Sequence, residues 1–327
     1  MAILQNTAEY FAGTTTETGD IKGVREDLSD VIYNISPTET PFMSNIGRTK
    51  ASSTRHEWQT DSLATAGANA VDQGHNFDTT TTNPIDAVAA TSRLSNFTQI
   101  SNASVVIAGT TEAILKAGRK SELAYQIAKK GKELKRDCEF VLSTGTAGES
   151  IAAELRGLEN WMSTNASHNG SGATPTTPTT NVTDGTQRNI TEDLVRAQIS
   201  AAWTLGGDPN IILCGPKNKQ NISSQFAGIA TLYRGAENGP ATIVGASDMY
   251  VSDFGELKVV PSRFSRDRTV SILQTDMWAV AYLRPFKVVE LAKTGDAEKR
   301  MLLAEYTLEA RNEAASAKVA DLTVSLI

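Results

Sequence analysis

His56-Glu57 opens like a zinc-protease motif, in which two histidines one helical turn apart hold the metal and the glutamate between them activates water. Position 60 is Thr60, and the surrounding residues alternate as a strand does, so the second ligand is missing in type and in geometry. All three histidines, His56, His75 and His168, fall in polar stretches, a poor footing for a triad whose members must be held rigidly. Asp253 with Glu256, or Asp296 with Glu298, have spacings suited to acid and base partners, but such spacings arise by chance among 37 acidic residues. The phosphate loop GxxxxGK[ST], a GxGxxG turn after a strand and the GxSxG elbow do not occur. Cys138 and Cys214 belong to no CxxC pair or metal-ligand spacing and read as reduced, buried thiols. The chain therefore reads as a protein that is not an enzyme, with no cofactor and no metal.

Composition narrows the class further. The formal charge is −6, which argues against a subunit that neutralises phosphate, because nucleic-acid affinity comes chiefly from Lys and Arg displacing counterions. Hydrophobic residues make up 40% of the 327 and aromatics only 6%, enough for a core or two but with an excess of Thr, Ala, Asn and Gly that suits extended polar arms. No run of about 18 apolar residues is present to span a bilayer, and MAILQNTAEYFAG lacks the basic and apolar regions of a signal peptide, so the expected place of synthesis and assembly is the cytoplasm.

Stepping along the chain locates the elements. Val24, Leu28, Val31, Ile32 and Ile35 share one helical face within an otherwise polar arm, and Thr40, Pro41 and Gly47 bracket a further short helix. From Ser52 the pattern alternates, with Thr54, His56, Trp58 and Thr60 on one face, and Val88, Ala90, Ser92 and Leu94 alternate back after a Gly-, Thr- and Asn-rich tip. Residues 52–103 thus predict a protruding two-stranded tongue, marginal on its own and expected to lie on another copy. The longest helical pattern runs from Glu112 to Leu142, weakened at Gly118 and Gly131, with seven Lys or Arg against four acids between Arg119 and Glu139 making one flank basic. In 163–189, 20 of 27 residues are Ser, Thr, Asn, Gly or Pro, which predicts an exposed, replaceable loop. Thr191 then caps a helix ending at Gly206-Gly207, Ile211 to Cys214 reads as a buried strand, and Pro216 opens another helix. Alternation at Trp278, Val280 and Tyr282, at Leu302 to Leu308, and at Ala320, Leu322, Val324 and Leu326 closes the chain in sheet, so the class is α+β with an α/β unit inserted.

Three stretches carry a family resemblance. The first is Asp27-Leu28-Ser29-Asp30-Val31-Ile32, then Ile35-Ser36-Pro37-Thr38-Glu39-Thr40-Pro41-Phe42, Ile46-Gly47-Arg48 and His56-Glu57-Trp58-Gln59-Thr60-Asp61. The second is Leu155-Arg156-Gly157-Leu158 with Trp161, followed by Ala202-Trp203 and Gly206-Gly207. The third is Phe254-Gly255, Val259-Val260-Pro261-Ser262-Arg263, Tyr282-Leu283-Arg284-Pro285-Phe286, Leu291-Ala292-Lys293-Thr294-Gly295-Asp296 and Glu309-Ala310-Arg311-Asn312-Glu313. In this order they resemble the major capsid proteins of short-tailed, podovirus-like bacteriophages, which have the Hong Kong 97-type capsid fold.

The resemblance implies an N-terminal arm (1–51), an extended loop (52–103), a peripheral domain (104–189) with spine helix 112–142 and exposed loop 163–189, an axial α/β domain (190–265), and C-terminal strands (266–327) completing both sheets. It implies a virion subunit that forms pentamers and hexamers of an icosahedral head around double-stranded DNA, without sequence-specific binding and without a membrane. Scaffolding and portal proteins are the implied partners, a decoration protein an optional one. Arg55, His56, Trp58, Arg263 and Arg284 become candidate subunit-interface residues. The shell of an encapsulin-type nanocompartment shares the fold and is the alternative. The lineage's prototype locks its shell through a lysine on the extended loop and an asparagine on a neighbour, yet no lysine occurs from Ala51 to Leu115.

Overall fold

The computed structural model describes residues 38–63, 66–68, 70, 73, 91–116, 118–146, 153–174, 180–226 and 248–325. The arm pattern from Val24 to Ile35 and most of the tongue's tip lie outside the described residues.

The described chain opens with α1 (Pro41–Asn45), with Pro41 at its start as predicted. Thr40 makes no side-chain cap; instead the Glu139 carboxylate accepts from the Phe42 and Met43 amides at 2.7 and 2.8 Å, satisfying donors that a helix start leaves open. β1 (Gly47–Lys50), β2 (Arg55–Thr60), β3 (Ser92–Phe97) and β4 (Gln99–Ala108) follow. β2 and β3 pair antiparallel from Arg55↔Phe97 to Thr60↔Ser92, and β2 alternates outward and inward as the sequence pattern requires. The described part of the return strand is Ser92–Phe97, and from Gln99 the chain continues in β4, which pairs with β11 in the body.

The long helix also differs from its predicted span. α2 (Gly109–Ala113) is a separate turn, and α3 runs Glu122–Thr144. Gly118 takes φ +74°, a left-handed conformation that ends helix and suits glycine. Ser121 caps the new start by accepting from Ala124 N, while Glu112, expected inside the helix, caps it from outside by accepting from Glu122 N at 2.9 Å. Further on, Gly131 faces the sheet without being required by it: a Cβ there would meet Leu302 at 3.5 Å, an ordinary contact.

α4 (Leu158–Trp161) and the short β5 (Ala166–Ser167) precede α5 (Glu192–Thr204), β6 (Ile211–Cys214) and α6 (Pro216–Phe226). The remainder is β7 (Met249–Ser252), β8 (Gly255–Pro261), β9 (Val270–Leu273), the long pair β10 (Trp278–Glu290) and β11 (Ala297–Ala310), and β12 (Ala317–Val319).

These strands make two larger sheets. One has the order β1-β10-β11-β4, with β1 parallel to β10 and the other pairs antiparallel. α3 covers one face, burying Leu134, Cys138 and Leu142 in a cluster with Trp278, Val280, Ala304 and Tyr306. The other has the order β5-β12-β9-β6-β8-β7 and buries Ile212, Val259 and Ile272 with Val195, Ile199 and Ala202 of α5 and Ile222 of α6. A fully buried β6 flanked on both edges explains its unbroken apolar run.

One further expectation is corrected. The last strand is Ala317–Val319 and does not continue through 320–325, because Asp321 adopts φ +61° and breaks the extended run, leaving Leu322 only a bridge to Arg188. Residues 163–189 are largely exposed where they are described, yet they are tied to the body. β5 adds a parallel strand to β12, Asn165 Nδ2 donates to Ala314 O at 2.7 Å, and the buried Asp321 carboxylate accepts from Asn169 N and Gly185 N at 2.9 and 2.6 Å. Part of the polar composition is spent on such bonds, which give backbone groups partners within the protein.

Candidate interface at the tongue root

Three of the five candidate residues lie on β2, and the structure turns two of them inward. Trp58 Nε1 donates to Ala310 O at 2.7 Å, and its ring stands 5.5 Å from that of Trp161. Trp161 is fixed in turn by the guanidinium of Arg156, 4.6 Å above its ring, and by donation to Arg156 O at 3.1 Å. The buried Asn96 of β3 completes the clasp, donating to Arg156 O and Leu308 O at 3.1 and 2.8 Å and accepting from Arg156 N at 2.9 Å. His56 Nε2 lies 3.3 Å from Glu309 Oε2, which also accepts from Thr49 Oγ1 at 2.8 Å. Burial pushes the Glu309 carboxyl up, but the bonds from Thr49, Arg311 and His56 outweigh it and hold it below the usual carboxylate range.

Arg284 reaches the same region: its Nε donates to the buried Glu305 at 2.6 Å, whose other oxygen accepts from Thr98 Oγ1 at 2.9 Å just where β3 turns into β4. Arg55 points outward, 3.1 Å from Ser95 Oγ and 3.5 Å from Glu57, and Arg93 meets the same glutamate at 3.3 Å. Arg263 is exposed beyond β8, on the other sheet, and does not join the group. The described root of the strand pair is therefore fastened to its own subunit through His56 and Trp58, while Arg55, Glu57 and Arg93 form a charged outward face.

Sequence reasoning missed the buried charges that hold these parts together. Lys318 is fully buried with Nζ 2.7 Å from Glu159 O, and Glu159 accepts from Thr269 Oγ1 at 2.7 Å. The only sign of it was a lysine set among Ala317, Val319 and Ala320. Both cysteines are free and buried, as expected; burial pushes the Cys138 thiol up to about 11 and that of Cys214 up to about 12, which suppresses the reactive thiolate. Among the described residues no three His, Cys, Asp or Glu side chains gather to hold a metal, and no helix is long and apolar enough to cross a membrane.

A long helix on a four-stranded sheet, a separate two-stranded pair and a second α/β sheet unit are the parts of a Hong Kong 97-type capsid fold. Solved shells agree: the cyanophage A-1(L) capsid asymmetric unit superposes with a TM-score of 0.68 at 12% identity, over 94% of this chain and 98% of its own. The holo-SrpI encapsulin complex of Synechococcus elongatus PCC 7942 shares the fold at a TM-score of 0.55 and 12% identity, over 100% of this chain and 99% of its own. The model of the SU10 major capsid protein family matches residues 6–323, so the chain belongs to that family of bacteriophage major capsid proteins. The major capsid protein of Escherichia phage Phieco32 is 28% identical over 340 residues, 91% of this chain and 94% of that protein. The chain is accordingly a structural component of a virion, and family membership sets the nanocompartment alternative aside.

Proposed function

We propose that the subunit assembles as pentamers and hexamers of an icosahedral head that encloses double-stranded DNA, and that the tongue is the element joining neighbours. The family match over residues 6–323 supports the shell; the separate two-stranded sheet of β2 and β3 carries the role of the tongue. Isolated hairpins are marginal in water, so a strand pair clamped at its root and extended by some thirty further residues between Thr60 and Ser92 finds its remaining partner in a neighbouring copy. In this reading residues 1–51 are the arm, the sheet under α3 is the peripheral domain, and the six-stranded sheet is the axial domain near the capsomer centre. Arg55, Arg263 and Arg284 present charge to adjacent copies; His56 and Trp58 position the root. Assembly takes place in the host cytoplasm with a separate scaffolding protein, a portal protein occupies one vertex, and a decoration protein can be added outside. The net charge of −6 limits adhesion to DNA, which is held by enclosure.

The test removes 61–91 and joins Thr60 to Ser92 by a short turn, leaving the whole clasp in place. Soluble, folded subunits that form no closed shells in the electron microscope, under conditions where the intact chain does, are expected. Closed particles like the wild type would overturn the assignment.

A further inference from the structure

A groove of about 290 Å³ runs beside α3, between Ala128, Gly131, Lys132 and Lys135 on the helix and Phe286 to Val288 on β10. Its floor is apolar and its rim is basic. Lys132, Lys135 and Lys287 are exposed, and among the described residues none of the three has a carboxylate partner.

The groove continues a crevice that the chain already fills. α1 lies between α3 and β10: its first amides bond Glu139 of α3, and Met43 Sδ is 3.8 Å from Tyr282 Oη of β10. Tyr282 meets Phe286 in a tilted ring contact with centroids 6.0 Å apart, and Phe286 lines the open part. Passing back along α3 from Glu139 to Lys132, and forward along β10 from Tyr282 to Val288, leads out of the filled end into the open one.

The chain leaves the described structure at this spot. Thr38 stands just before the α1 start, whose amides face Glu139. Glu139 to Lys132 is about 10 Å along the helix axis, and an extended stretch from Ser36 to Thr38 covers about the same distance. The residues before it carry an apolar face: Val24, Leu28, Val31, Ile32 and Ile35 share one side of a helix, with Asp27 on one flank and Arg25 on the other, while Glu26 and Asp30 fall on the far side. We infer that the arm segment from Val24 to Ile35 of the same chain docks in this groove, its apolar face on Phe286, Val288 and Leu302 and its flanking Asp27 toward the lysines of the rim. The inference concerns the subunit itself and stands whether or not the tongue joins neighbours.

The experiment pairs Leu28→Cys with Val288→Cys in the full chain and treats subunits and shells with a short thiol-reactive bifunctional reagent. The buried native thiols and a Leu28→Cys/Arg263→Cys pair set the background. A crosslink within one chain, mapped by peptide mass spectrometry, is expected, and adding Lys132→Glu with Lys135→Glu should cut its yield about threefold, the scale of one surface ion pair made repulsive. A dimer band would overturn the assignment by giving the groove to a second copy's arm. A yield no higher than background, or one unmoved by the charge reversals, would overturn it as well.

Discussion

Replacing Lys318 by Met tests whether a buried ammonium group makes the stability of this fold depend on alkaline pH. Lys318 has no exposed surface, and its Nζ donates to Glu159 O at 2.7 Å. Burial pushes the amine down from 10.5 to about 8; Glu159 pulls it back up, and Arg156 and Arg266 push it down further. Between those pH values the unfolded chain holds a proton that the folded chain has released, so the contribution to stability rises with pH. It is complete above 10.5, where both forms are neutral, and lost as pH falls to about 8. The gap of about 2.5 units corresponds to about 3 kcal/mol at about 1.4 kcal/mol per unit. Surface screening does not reduce this, since the group is buried.

Other groups titrate in the same range with the opposite sign. Burial raises the thiols of Cys138 and Cys214 and the phenol of Tyr250, so their unfolded forms ionise first and stability falls as pH climbs. A difference between two proteins removes this background. Met has nearly the length of Lys without its charge, and the bond it costs Glu159 O is a pH-independent loss of about 1–3 kcal/mol. Urea unfolding of unassembled subunits, followed by circular dichroism at pH 7.5 and at about 10.5, should show the wild type gaining about 3 kcal/mol on Lys318→Met across the interval. Parallel profiles for the two proteins would refute the reasoning.

Trp58→Ala should lower subunit stability by about 2–3 kcal/mol in urea titrations and speed proteolysis between β2 and β3, since it empties the half-buried site against Trp161; Trp58→Phe keeps the ring but loses the bond to Ala310 O, about 1 kcal/mol. A Gly-Ser insertion of about ten residues within 175–179 should leave particles intact, because loop closure costs little and the flanking Ala173↔Thr183 bridge holds, whereas the same insertion between Ala166 and Ser167 should abolish folding by breaking β5; equal tolerance at both sites, seen by yield and electron microscopy, would count against that account. Mature particles boiled in reducing detergent should run as a single band near 35.0 kDa, since no lysine lies between Ala51 and Leu115 to start an isopeptide bond from the tongue; a covalent ladder would contradict this.

Helix α5 was legible to within a residue, because everything that defines it is local: Thr191 accepts from Leu194 N at its start, and Gly206 at φ +89° follows its end. β6 was legible for the same reason, as a short apolar run between Gly206-Gly207 and Pro216. α3 was misjudged at its start because its apolar seam continues past Gly118, and only the left-handed glycine and the outside cap from Glu112 reveal the break. The anchoring of residues 163–189 was not legible, because a polar segment looks the same whether water or the protein satisfies it. Here the partner was Asp321, more than 130 positions away, bonded to the Asn169 and Gly185 amides.

The tongue root shows where the limit lies. A polar strand bearing one tryptophan demands a surface to rest on, and the pattern of β2 states that demand without saying whose surface it is. The answer is a backbone carbonyl, Ala310 O, 252 positions along the same chain. Carbonyls occur at every residue and leave no mark on side-chain periodicity, so the choice between an internal and an external partner is decided by topology. β11 pairs with β4 from Tyr306↔Gln99 onward, which brings the end of β11 beside the start of β4 and so beneath the strand pair that precedes it. That register puts Ala310 O within reach of Trp58 in the same subunit, so the strand pattern states the need for a surface and topology supplies it.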